Sequence, residues 1–464
     1  MSERETITEP AREIPVFRKC DVLVVGGGPA GSAAAASAAR MGADTVLVER
    51  YGHLGGMSTG GFCLWIDRMT GWDGQQVIAG FANDLLDRLQ GEALLGPPAN
   101  IWGSKDPQLV EYWQDRHAAF HGTITWSPTI DPEMLKIASF DLLGQRGVKL
   151  LMHSWAVAPI QEGHALRGVI FESKAGRQAL LAKVVIDATG DGDIFALAGS
   201  EFATDVVEED IHHMMNVAFL WDGTDMQRYL DFRREHPEEF RAIMQRGQEF
   251  AVHDRPHAMP RNDMALFMGP RLKGYSCLDI EDLTTVEIES RKRMLTMLDF
   301  YRRHVPGFEN ARVMQTAPQM GVRHSRRLRG VAKMTRDDWM TGKLYDDEIA
   351  LSPPPNPRHP NVSIPLGCMI PASLDNLLAA GRNLSCDPVT HIFMREVPNC
   401  WAMGQAAGVA AAVAVSAGVR VRDVDVHAVQ RQLVREGVAL HKEVGGSIRR
   451  ADVVTNQVVA MGGL

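Results

Sequence analysis

A glycine-rich segment at residues 24–31, VVGGGPAG, carries the clearest chemical signal in this chain of 464 residues. Gly26, Gly28 and Gly31 follow a run of β-branched residues and open an Ala-rich stretch, which is the context of a G-x-G-x-x-G turn between a strand and a helix. Gly26 permits the tight turn, Gly28 lets a phosphate approach the backbone, and Gly31 lets the helix pack closely on the strand. The helix N-terminus then presents its partial positive charge to the phosphates. The pattern predicts a site for a pyrophosphate-bearing dinucleotide.

An acidic residue stands where such a site needs one. Glu49 ends a second strand-like run, TVLVE, 23 residues after Gly26. A carboxylate at this point can accept hydrogen bonds from the ribose hydroxyls of an adenosine. A glycine-rich turn that served only core packing would leave Glu49 unexplained. We therefore interpret the unit as an adenine-dinucleotide site.

Three further glycine-bearing segments follow. RYGHLGGMSTGG, at 50–61, comes directly after Glu49, whereas VIDATGDGD at 185–193 and NLLAAGRN at 376–383 lie far along the chain. The first turn alone does not separate a nicotinamide from a flavin dinucleotide. A flavin dinucleotide is long and extended, and it needs backbone contacts along its whole length. Several distant turns that converge on one ligand therefore favour FAD.

Charge and composition narrow the class of partners. The net charge of −8, with acidic and basic residues mixed along the chain, argues against a nucleic-acid or anionic-membrane surface. The polar N-terminus lacks the apolar core of a signal peptide, and no uninterrupted apolar run approaches the roughly 18 residues of a membrane span. The six cysteines form no CxxC pattern, so we expect reduced thiols and no metal site. We expect a cytoplasmic protein.

The periodicity of the chain predicts the elements that position these turns. Strand, turn, helix and strand follow one another through Glu49, and a helix with Asp131 as its N-cap and Pro132 at its first position ends near Gly147. Alternating segments around Gly-bearing turns then form a β-meander that returns to a core strand. The predicted fold class is α/β, with a Rossmann-like FAD-binding domain of a parallel sheet plus a β-meander.

Two stretches interrupt this pattern. The first is aromatic-rich, and the second is rich in Arg, Glu and Met at helical spacing. We interpret both as an inserted, largely helical α+β substrate or cap domain. The predicted domains are an FAD-binding domain of residues 1–75, 125–205 and 318–464, and an inserted domain of residues 76–124 and 206–317.

The order of these motifs resembles that of bacterial FAD-dependent oxidoreductases of the glutathione-reductase-like superfamily. The resemblance is carried by the glycine turns with residues 10–42, by MGVRHSRRLRG at 320–330 and by the segment 363–414. It covers most of the chain and is weakest over 208–313. It implies an oxidoreductase with FAD bound non-covalently.

The resemblance also implies a set of cofactor contacts beyond Gly26, Gly28, Gly31 and Glu49. A helix entered after Pro398 would direct its N-terminus at the flavin, where a helix dipole stabilises the anionic reduced ring. The implied contacts are Pro29, Ala30, Arg50, Gly55, Gly56, Ala188, Thr189, Gly190, Asp191, Gly381, Arg382 and Gly404.

Related flavoproteins with special features are less similar. Disulfide reductases need a redox CxxxxC on the first helix and a second nucleotide turn, and the chain has neither. Flavoproteins that tether FAD through a histidine place it near the second glycine loop. His53 lies close to that place, but in a poor register, so a surface histidine is the better interpretation.

The candidates for acid–base chemistry lie in CDPVTHIFMREVPNC, residues 386–400, between the third turn and the flavin-facing helix. His391 is the predicted base, because its pKa is normally near neutrality, and Arg395 could orient an anionic or carbonyl oxygen. The alternatives are a core histidine satisfied by backbone, and an ion pair of Arg395 with Glu396. His213, at the entry to the second insertion, is a further candidate for the cavity.

Other polar and aromatic clusters have plainer interpretations. The basic run at 323–327 is predicted to serve the domain junction, with structural use favoured over catalysis for each member. Five tryptophans crowd the first insertion, where most are predicted to be core, although an aromatic wall over the flavin would suit a flat or apolar substrate.

These features predict an FAD-dependent oxidoreductase of the dehydrogenase or oxidase type. It would exchange a hydride between flavin N5 and a small organic substrate held between the FAD and cap domains. The alternatives are a flavin reductase or monooxygenase fed by an external electron donor, and a non-catalytic FAD-binding scaffold or sensor. The expected partners are a small-molecule substrate and an unidentified electron acceptor, without nucleic acid or membrane, and a homo-oligomer is left open.

Overall fold

The computed structural model describes residues 5–89, 91–207, 214–249 and 255–441. Its strands, in chain order, are β1 (Val16–Val25), β2 (Thr45–Val48), β3 (Leu94–Leu95), β4 (Ala119–Phe120), β5 (Thr123–Ile124), β6 (Thr129–Ile130), β7 (Lys149–Leu151), β8 (Trp155–Glu162), β9 (Ala165–Ser173), β10 (Gly176–Asp187), β11 (Phe202–Ala203), β12 (Met215–Asn216), β13 (Phe219–Asp222), β14 (His257–Ala258), β15 (Met264–Phe267), β16 (Arg312–Thr316), β17 (Gly321–Val322), β18 (Arg327–Leu328), β19 (Glu348–Ser352), β20 (Val362–Pro365) and β21 (Leu377–Ala379). Its α-helices are α1 (Pro29–Arg40), α2 (Phe81–Leu86), α3 (Pro107–Gln114), α4 (Pro132–Gln145), α5 (Asp193–Leu197), α6 (Met226–Glu235), α7 (Pro237–Gln248), α8 (Ile280–His304), α9 (Arg336–Met340), α10 (Pro388–Met394), α11 (Val397–Ala417) and α12 (Val426–Arg435).

A seven-stranded sheet forms the centre of the molecule. Its order is β7-β2-β1-β10-β9-β8, and β21 pairs with the end of β10. The strands β7, β2, β1, β10 and β21 are parallel, whereas β10, β9 and β8 form an antiparallel meander. All of β2 and the last four residues of β1 are buried, which explains their continuous apolar sequences. The predicted α/β fold with a parallel sheet plus a β-meander is confirmed.

Strand β10 brings the separate glycine turns together. Its first half pairs with the meander strand β9, and residues 185–187 pair in parallel with β21. The carboxyl ends of β1, β2, β10 and β21 therefore meet at one edge of the sheet, where ligands bind in open α/β folds. The turns that follow these four strands lie at that edge because the strands are parallel.

Helices α1 and α11, which are rich in small residues, pack directly against each other with close backbone contacts. A Cβ at Gly404 of α11 would lie 2.1 Å from the carbonyl oxygen of Ala30 in α1, and one at Gly408 would lie 2.2 Å from that of Ala34. Within the described ranges α11 is the one helix long and apolar enough to cross a membrane, yet 78% of its apolar window is buried inside the protein. Its apolar composition is that of a core helix packed against α1.

The second insertion forms an α+β unit. Its antiparallel sheet has the order β14-β15-β13-β16 and packs with α6, α7 and α8. The unit has its own aromatic core, in which the Trp221 ring lies 4.4 Å from Phe267 and 5.6 Å from Tyr301, measured between centroids. Such ring pairs add to the stability gained from burial.

The first insertion is divided between two packing environments. Helix α2 packs against the core of the central sheet, and the Phe81 amide donates to the Gln405 side chain of α11 at 3.0 Å. Residues around Trp113 form a separate small cluster with Ala118, Ala119 and Ile124. The predicted domain boundary at residue 76 stays a prediction. Helix α2 lies beyond that boundary, in the predicted insertion, but it packs against the core of the FAD-binding domain.

Candidate active site

The turn between β1 and α1 is closed by backbone contacts at two glycines and open at a third. Gly26 has a φ of +100°, and a Cβ there would lie 2.5 Å from the Ala188 carbonyl oxygen, while one at Gly31 would lie 1.8 Å from that of Gly26. Gly28 caps α1 without a side-chain hydrogen bond, and a Cβ there would meet no protein atom within 4 Å. The first N–H groups of α1 are thus accessible to an anion in the adjoining cavity.

Glu49 is fixed beside this turn by backbone donors. The amide of Gly27 donates to one carboxylate oxygen at 2.6 Å, and that of Tyr51 donates to the other at 2.8 Å. Burial raises the pKa of Glu49, while the two amides and the charge of Arg50 act in the opposite direction. A carboxylate has about four acceptor positions, so two remain for ribose hydroxyls.

The turn after β10 is organised by Asp187, whose role the sequence did not reveal. Its buried carboxylate accepts hydrogen bonds from the amide and hydroxyl of Thr189 and from the amides of Ile194 and Phe195. Burial raises its pKa to about 6, although these hydrogen bonds favour the charged form. Asp187 therefore holds the turn closed from behind and leaves its other face to the cavity.

Arg382 joins the third glycine turn to the turn after β10 and to strand β17. Its Nε donates to the Gly190 carbonyl at 2.9 Å, one terminal nitrogen forms an ion pair with Asp191, and the other donates to the Val322 carbonyl. The guanidinium is buried, and its donors are directed to protein oxygens. Arg382 thus positions the turns relative to one another, which adds to its predicted role beside the cofactor.

One cavity of about 1100 Å³ runs along the converging turns. Small-molecule pockets usually measure about 300–1,000 Å³, so this cavity has room for an extended dinucleotide and a further small molecule. Of the predicted cofactor contacts it is lined by Gly26, Gly28, Pro29, Ala30, Glu49, Arg50, Gly56, Ala188, Thr189, Gly190, Asp191, Gly381 and Arg382. The open N-terminus of α1, the buried acid and the volume of the cavity fit FAD.

Three predicted contacts do not line the cavity. Gly31 and Gly404 lie at the close packing of α1 with its neighbours, where a side chain would meet backbone oxygen. Gly55 has a φ of +87°, and its amide donates to the Gly27 carbonyl at 2.8 Å, so it fixes the second glycine loop against the first. For Gly404 this is a correction, because its partner is the backbone of α1.

These features are typical of a site for an extended dinucleotide at the carboxyl edge of a parallel sheet. The chain belongs to the family of FAD-dependent oxidoreductases, whose sequence model matches residues 21–433. FAD is therefore its cofactor, and the protein is an oxidoreductase. Of the sequence-based predictions, membership of the FAD-dependent oxidoreductases, the enzyme class and FAD as cofactor are confirmed, whereas the bacterial origin and the glutathione-reductase-like superfamily stay predictions.

Similarity to individual proteins is short or remote. The chain is 47% identical over 53 residues to dihydrolipoyl dehydrogenase from Trypanosoma brucei brucei, a match that spans 11% of each protein. Among solved structures it is similar to the flavin-dependent brominase Bmp2 (14% identity, 87% of this chain and 81% of that one, TM-score 0.48). It is also similar to p-nitrophenol 4-monooxygenase PnpA from Pseudomonas putida DLL-E4 (13% identity, 91% and 82%, TM-score 0.46).

The structure does not bring His391 to the cavity. The residue lies on α10, is buried, and its Nε2 donates to the Arg382 carbonyl at 2.8 Å, with the ring of His324 edge-on at 5.5 Å. Burial and then the charge of Arg395 hold the pKa of His391 well below its usual value. This corrects the expectation that His391 faces the flavin, because its ring supports the backbone of the third turn.

The other two predicted catalytic residues have different outcomes. Arg395 forms the ion pair with Glu396, at 3.1 Å, and it also lines the cavity, so its predicted role in orienting a substrate oxygen stays a prediction. His213 lies outside the described residues. Within the described ranges no cluster of three His, Cys, Asp or Glu side chains could hold a metal ion.

A pair of histidines that the sequence did not indicate lines the cavity. The rings of His117 and His257 stack at 4.0 Å between centroids with an interplanar angle of 27°. In each, Nδ1 is buried and has no hydrogen-bond partner among the described residues.

The surroundings keep both histidines uncharged. Burial, then the charges of Arg233 and Arg255, lower the pKa of His117 to about 4. Burial, then His117, hold the pKa of His257 well below its usual range. Both imidazoles are neutral near pH 7.

The aromatic cluster and the basic run each contain some residues that line the cavity and others that do not. Of the five tryptophans in the first insertion, Trp65 lines the cavity, and its Nε1 donates to the His117 carbonyl at 2.8 Å. In the basic run, buried Arg327 bonds Asp205 at 2.7 Å, whereas Arg323 and Arg326 line the cavity. Arg326 also donates to the Asp191 carbonyl and pairs with Asp193, so the expected structural use describes both Arg326 and Arg327.

FAD is expected to be released by acid, because His53 is not placed to tether it. His53 stacks on Tyr51 at 5.3 Å between centroids, and it does not line the cavity. Precipitation of the purified protein with acid should leave all the flavin in the supernatant. Yellow colour in the washed pellet would contradict this and point back to His53.

Proposed function

We propose that the protein exchanges a hydride between FAD and a small organic substrate bound at the far part of the same cavity. One observation carries the proposal: the cavity lined by Glu49 and Gly28 continues to a wall formed by Trp65, His117 and His257. His117 and His257 come from the two predicted inserted segments, and Trp65 precedes the first of them. The cavity therefore joins the predicted cofactor contacts to polar and aromatic side chains that the cofactor turns do not need.

When bound, FAD supplies the two-electron chemistry by exchanging a hydride with a substrate carbon at N5. An alcohol or amine that loses a hydride from carbon must also lose a proton from oxygen or nitrogen, and a C=O or C=N bond forms. The chain must accept that proton. His117 and His257 are neutral imidazoles on this wall, each with an Nδ1 that has no hydrogen-bond partner within the described ranges, and we assign the proton to one of them.

The wall also excludes water and orients the substrate. Trp65 packs against His117 with ring centroids 6.5 Å apart, and its indole N–H fixes the His117 backbone. Met268 lines the same cavity and adds apolar surface. A flat or partly apolar molecule would fit between this surface and the cofactor.

The test is anaerobic bleaching of the yellow protein by a panel of alcohols, amines and hydroxy or amino acids. A compound that bleaches the flavin and is recovered as the matching carbonyl or imine supports the proposal. Bleaching only by a reduced nicotinamide would instead favour a reductase or monooxygenase. A flavin that no compound reduces would leave a binding protein without catalysis.

A further inference from the structure

Four large apolar side chains are exposed to solvent at one end of the cavity. Trp155 and Leu197 are each 56% exposed, Leu278 is 44% exposed and Ile280 is 79% exposed, yet all four line the cavity. Single exposed apolar residues are common on protein surfaces, whereas several around one cleft indicate that a ligand or a partner binds there. We call these four residues the apolar rim.

Two members of the apolar rim come from the predicted FAD-binding domain. Trp155 begins β8, and the guanidinium of Arg50 lies 5.7 Å from the centre of its ring. Arg50 directly follows Glu49, whose carboxylate is predicted to bind the ribose. Leu197 ends α5, a helix that begins where the turn after β10 ends and that packs against β8. This end of the cavity therefore lies beside Glu49, where the adenosine is predicted to bind.

The other two members of the apolar rim come from the second insertion. Leu278 lies just before α8, and Ile280 is the first residue of that helix. The neighbouring Cys277 also lines the cavity. Burial raises the pKa of Cys277 to about 12, and the charge of Asp191 adds to the rise, so this segment lies close to the turn after β10.

Helix α8 continues along the same end of the cavity. Thr284 and Glu287, further along the helix, also line it. Burial raises the pKa of Tyr51, and Glu287 is among the charges that add to the rise. Tyr51 is the residue whose amide donates to Glu49 at 2.8 Å. The second insertion therefore reaches the loop that holds the predicted ribose-binding acid.

We propose that Leu278 and Ile280 close over the adenine of FAD, so that the second insertion helps to bind the cofactor as well as contributing His257 to the substrate wall. The inference goes beyond the proposed function, since it concerns cofactor binding alone, and it rests on the predicted pyrophosphate site at Gly28. The flat adenine ring can stack on an aromatic side chain such as Trp155. Leu278 and Ile280 then cover its other face and remove apolar surface from water.

A second copy of the chain would also cover exposed apolar side chains. The adenine is favoured because the apolar rim belongs to the same cavity as Gly28 and Glu49. FAD is the cofactor of this family, and its adenine must lie beyond the ribose that Glu49 is predicted to bind. The experiment therefore compares cofactor affinity with the oligomeric state.

The first measurement is the dissociation constant of FAD, obtained by diluting the FAD-loaded protein and following the fluorescence of the released flavin. Ile280→Ser should weaken FAD binding on the order of 10-fold, because an apolar contact with the adenine is lost. Leu278→Ser should have a similar effect and provides a second variant if Ile280→Ser does not fold. The flavin absorbance spectrum of both loaded variants should stay unchanged, since the flavin ring lies at the other end of the cofactor.

Ile288→Ser is the matched control, because Ile288 lies on the same helix and is 51% exposed but does not line the cavity. It should bind FAD as the unaltered protein does. FAD affinity that is unchanged in Ile280→Ser and Leu278→Ser, or that Ile288→Ser lowers equally, would overturn the proposal. A changed oligomeric state with unchanged FAD affinity would instead assign the apolar rim to a contact between copies of the chain.

ADP separates the two halves of the cofactor, because it carries the adenosine and the pyrophosphate without the flavin. Titrated by calorimetry into the flavin-free full-length protein, ADP should bind Ile280→Ser more weakly by the same factor as FAD. Unchanged ADP affinity beside weakened FAD binding would show that the apolar rim acts on the flavin half, and the proposal would be wrong.

These measurements need no substrate, so their outcome is distinct from that of the bleaching test. Weakened ADP and FAD binding in a protein that no substrate bleaches would keep the adenine site and reject hydride exchange. Loss of FAD on Gly28→Val, with FAD affinity unchanged in Ile280→Ser, would keep the pyrophosphate site and reject the role of the apolar rim.

Discussion

Gly28→Val is expected to yield a folded, colourless protein. The valine Cβ would meet no protein atom within 4 Å, and the φ of −67° and ψ of −172° at this position are open to any residue. Its side chain would therefore enter the cavity in front of the α1 N-terminus, where the pyrophosphate is predicted to lie. The flavin-to-protein ratio after purification should fall from near one to near zero, while the thermal unfolding of the apoprotein stays the same.

Two companion variants show that this effect comes from the site. Gly144→Val adds the same side chain in open space on α4, at an exposed position away from the cavity, and should keep its flavin. Gly404→Ala should instead lower the stability of the protein without placing a side chain in the cavity, because its Cβ would lie 2.1 Å from the Ala30 carbonyl oxygen. Such overpacking costs about 1–3 kcal/mol of stability, so its unfolding temperature should fall. Gly28→Val purified with stoichiometric FAD would show that the pyrophosphate lies elsewhere.

The fold could be predicted because the sequence signals are local and agree with one another. A buried parallel strand reads as a continuous apolar run, and the turn after β1 allows only glycine where backbone meets backbone. The helix α4 begins as predicted, with the Asp131 side chain accepting from the amides of Glu133 and Met134. The convergence of distant turns follows from parallel pairing, since strands that share a direction end at the same edge.

The position of His391 shows where sequence proximity is insufficient. The segment between the third turn and α11 is short, and it does pass the cofactor edge, because Arg395 and Glu396 line the cavity. Yet this segment contains helix α10, which has Asp387 as its N-cap and Pro388 at its first position. The same Asp-Pro pair begins α4. A helix fixes the direction of each side chain, and His391 is directed to the Arg382 carbonyl.

The histidine pair could not have been found by reading along the chain. His117 and His257 belong to different insertions, and no local pattern relates them. They are brought together when both insertions fold over the same edge of the sheet. One local sign exists in the structure: His117 has a φ of +57°, a conformation in which glycine is favoured.

His117→Gly is therefore a substitution that separates chemistry from stability. His117 closes the C-terminal end of α3, where its amide donates to the Gln114 carbonyl, and glycine is the preferred residue at such left-handed helix ends. The relief of the positive φ offsets the loss of the ring packing on His257 and Trp65, so the variant should fold and keep its FAD. Without the imidazole, reduction of the flavin by the substrate should slow on the order of 10²-fold or more, as expected when a general base is lost.

The matched control for this substitution is His121→Gly. His121 also has a positive φ, of +49°, but it is exposed and its ring contacts Trp72 away from the cavity. Stopped-flow reduction under anaerobic conditions should show the control reacting at the unaltered rate. His257→Asn, which keeps a polar group without the base, should be slow like His117→Gly if the two rings act as a pair. Reduction of His117→Gly at the full rate would show that the His117 imidazole does not accept the proton. His257 would then be the remaining candidate, and slow reduction of His257→Asn would support it.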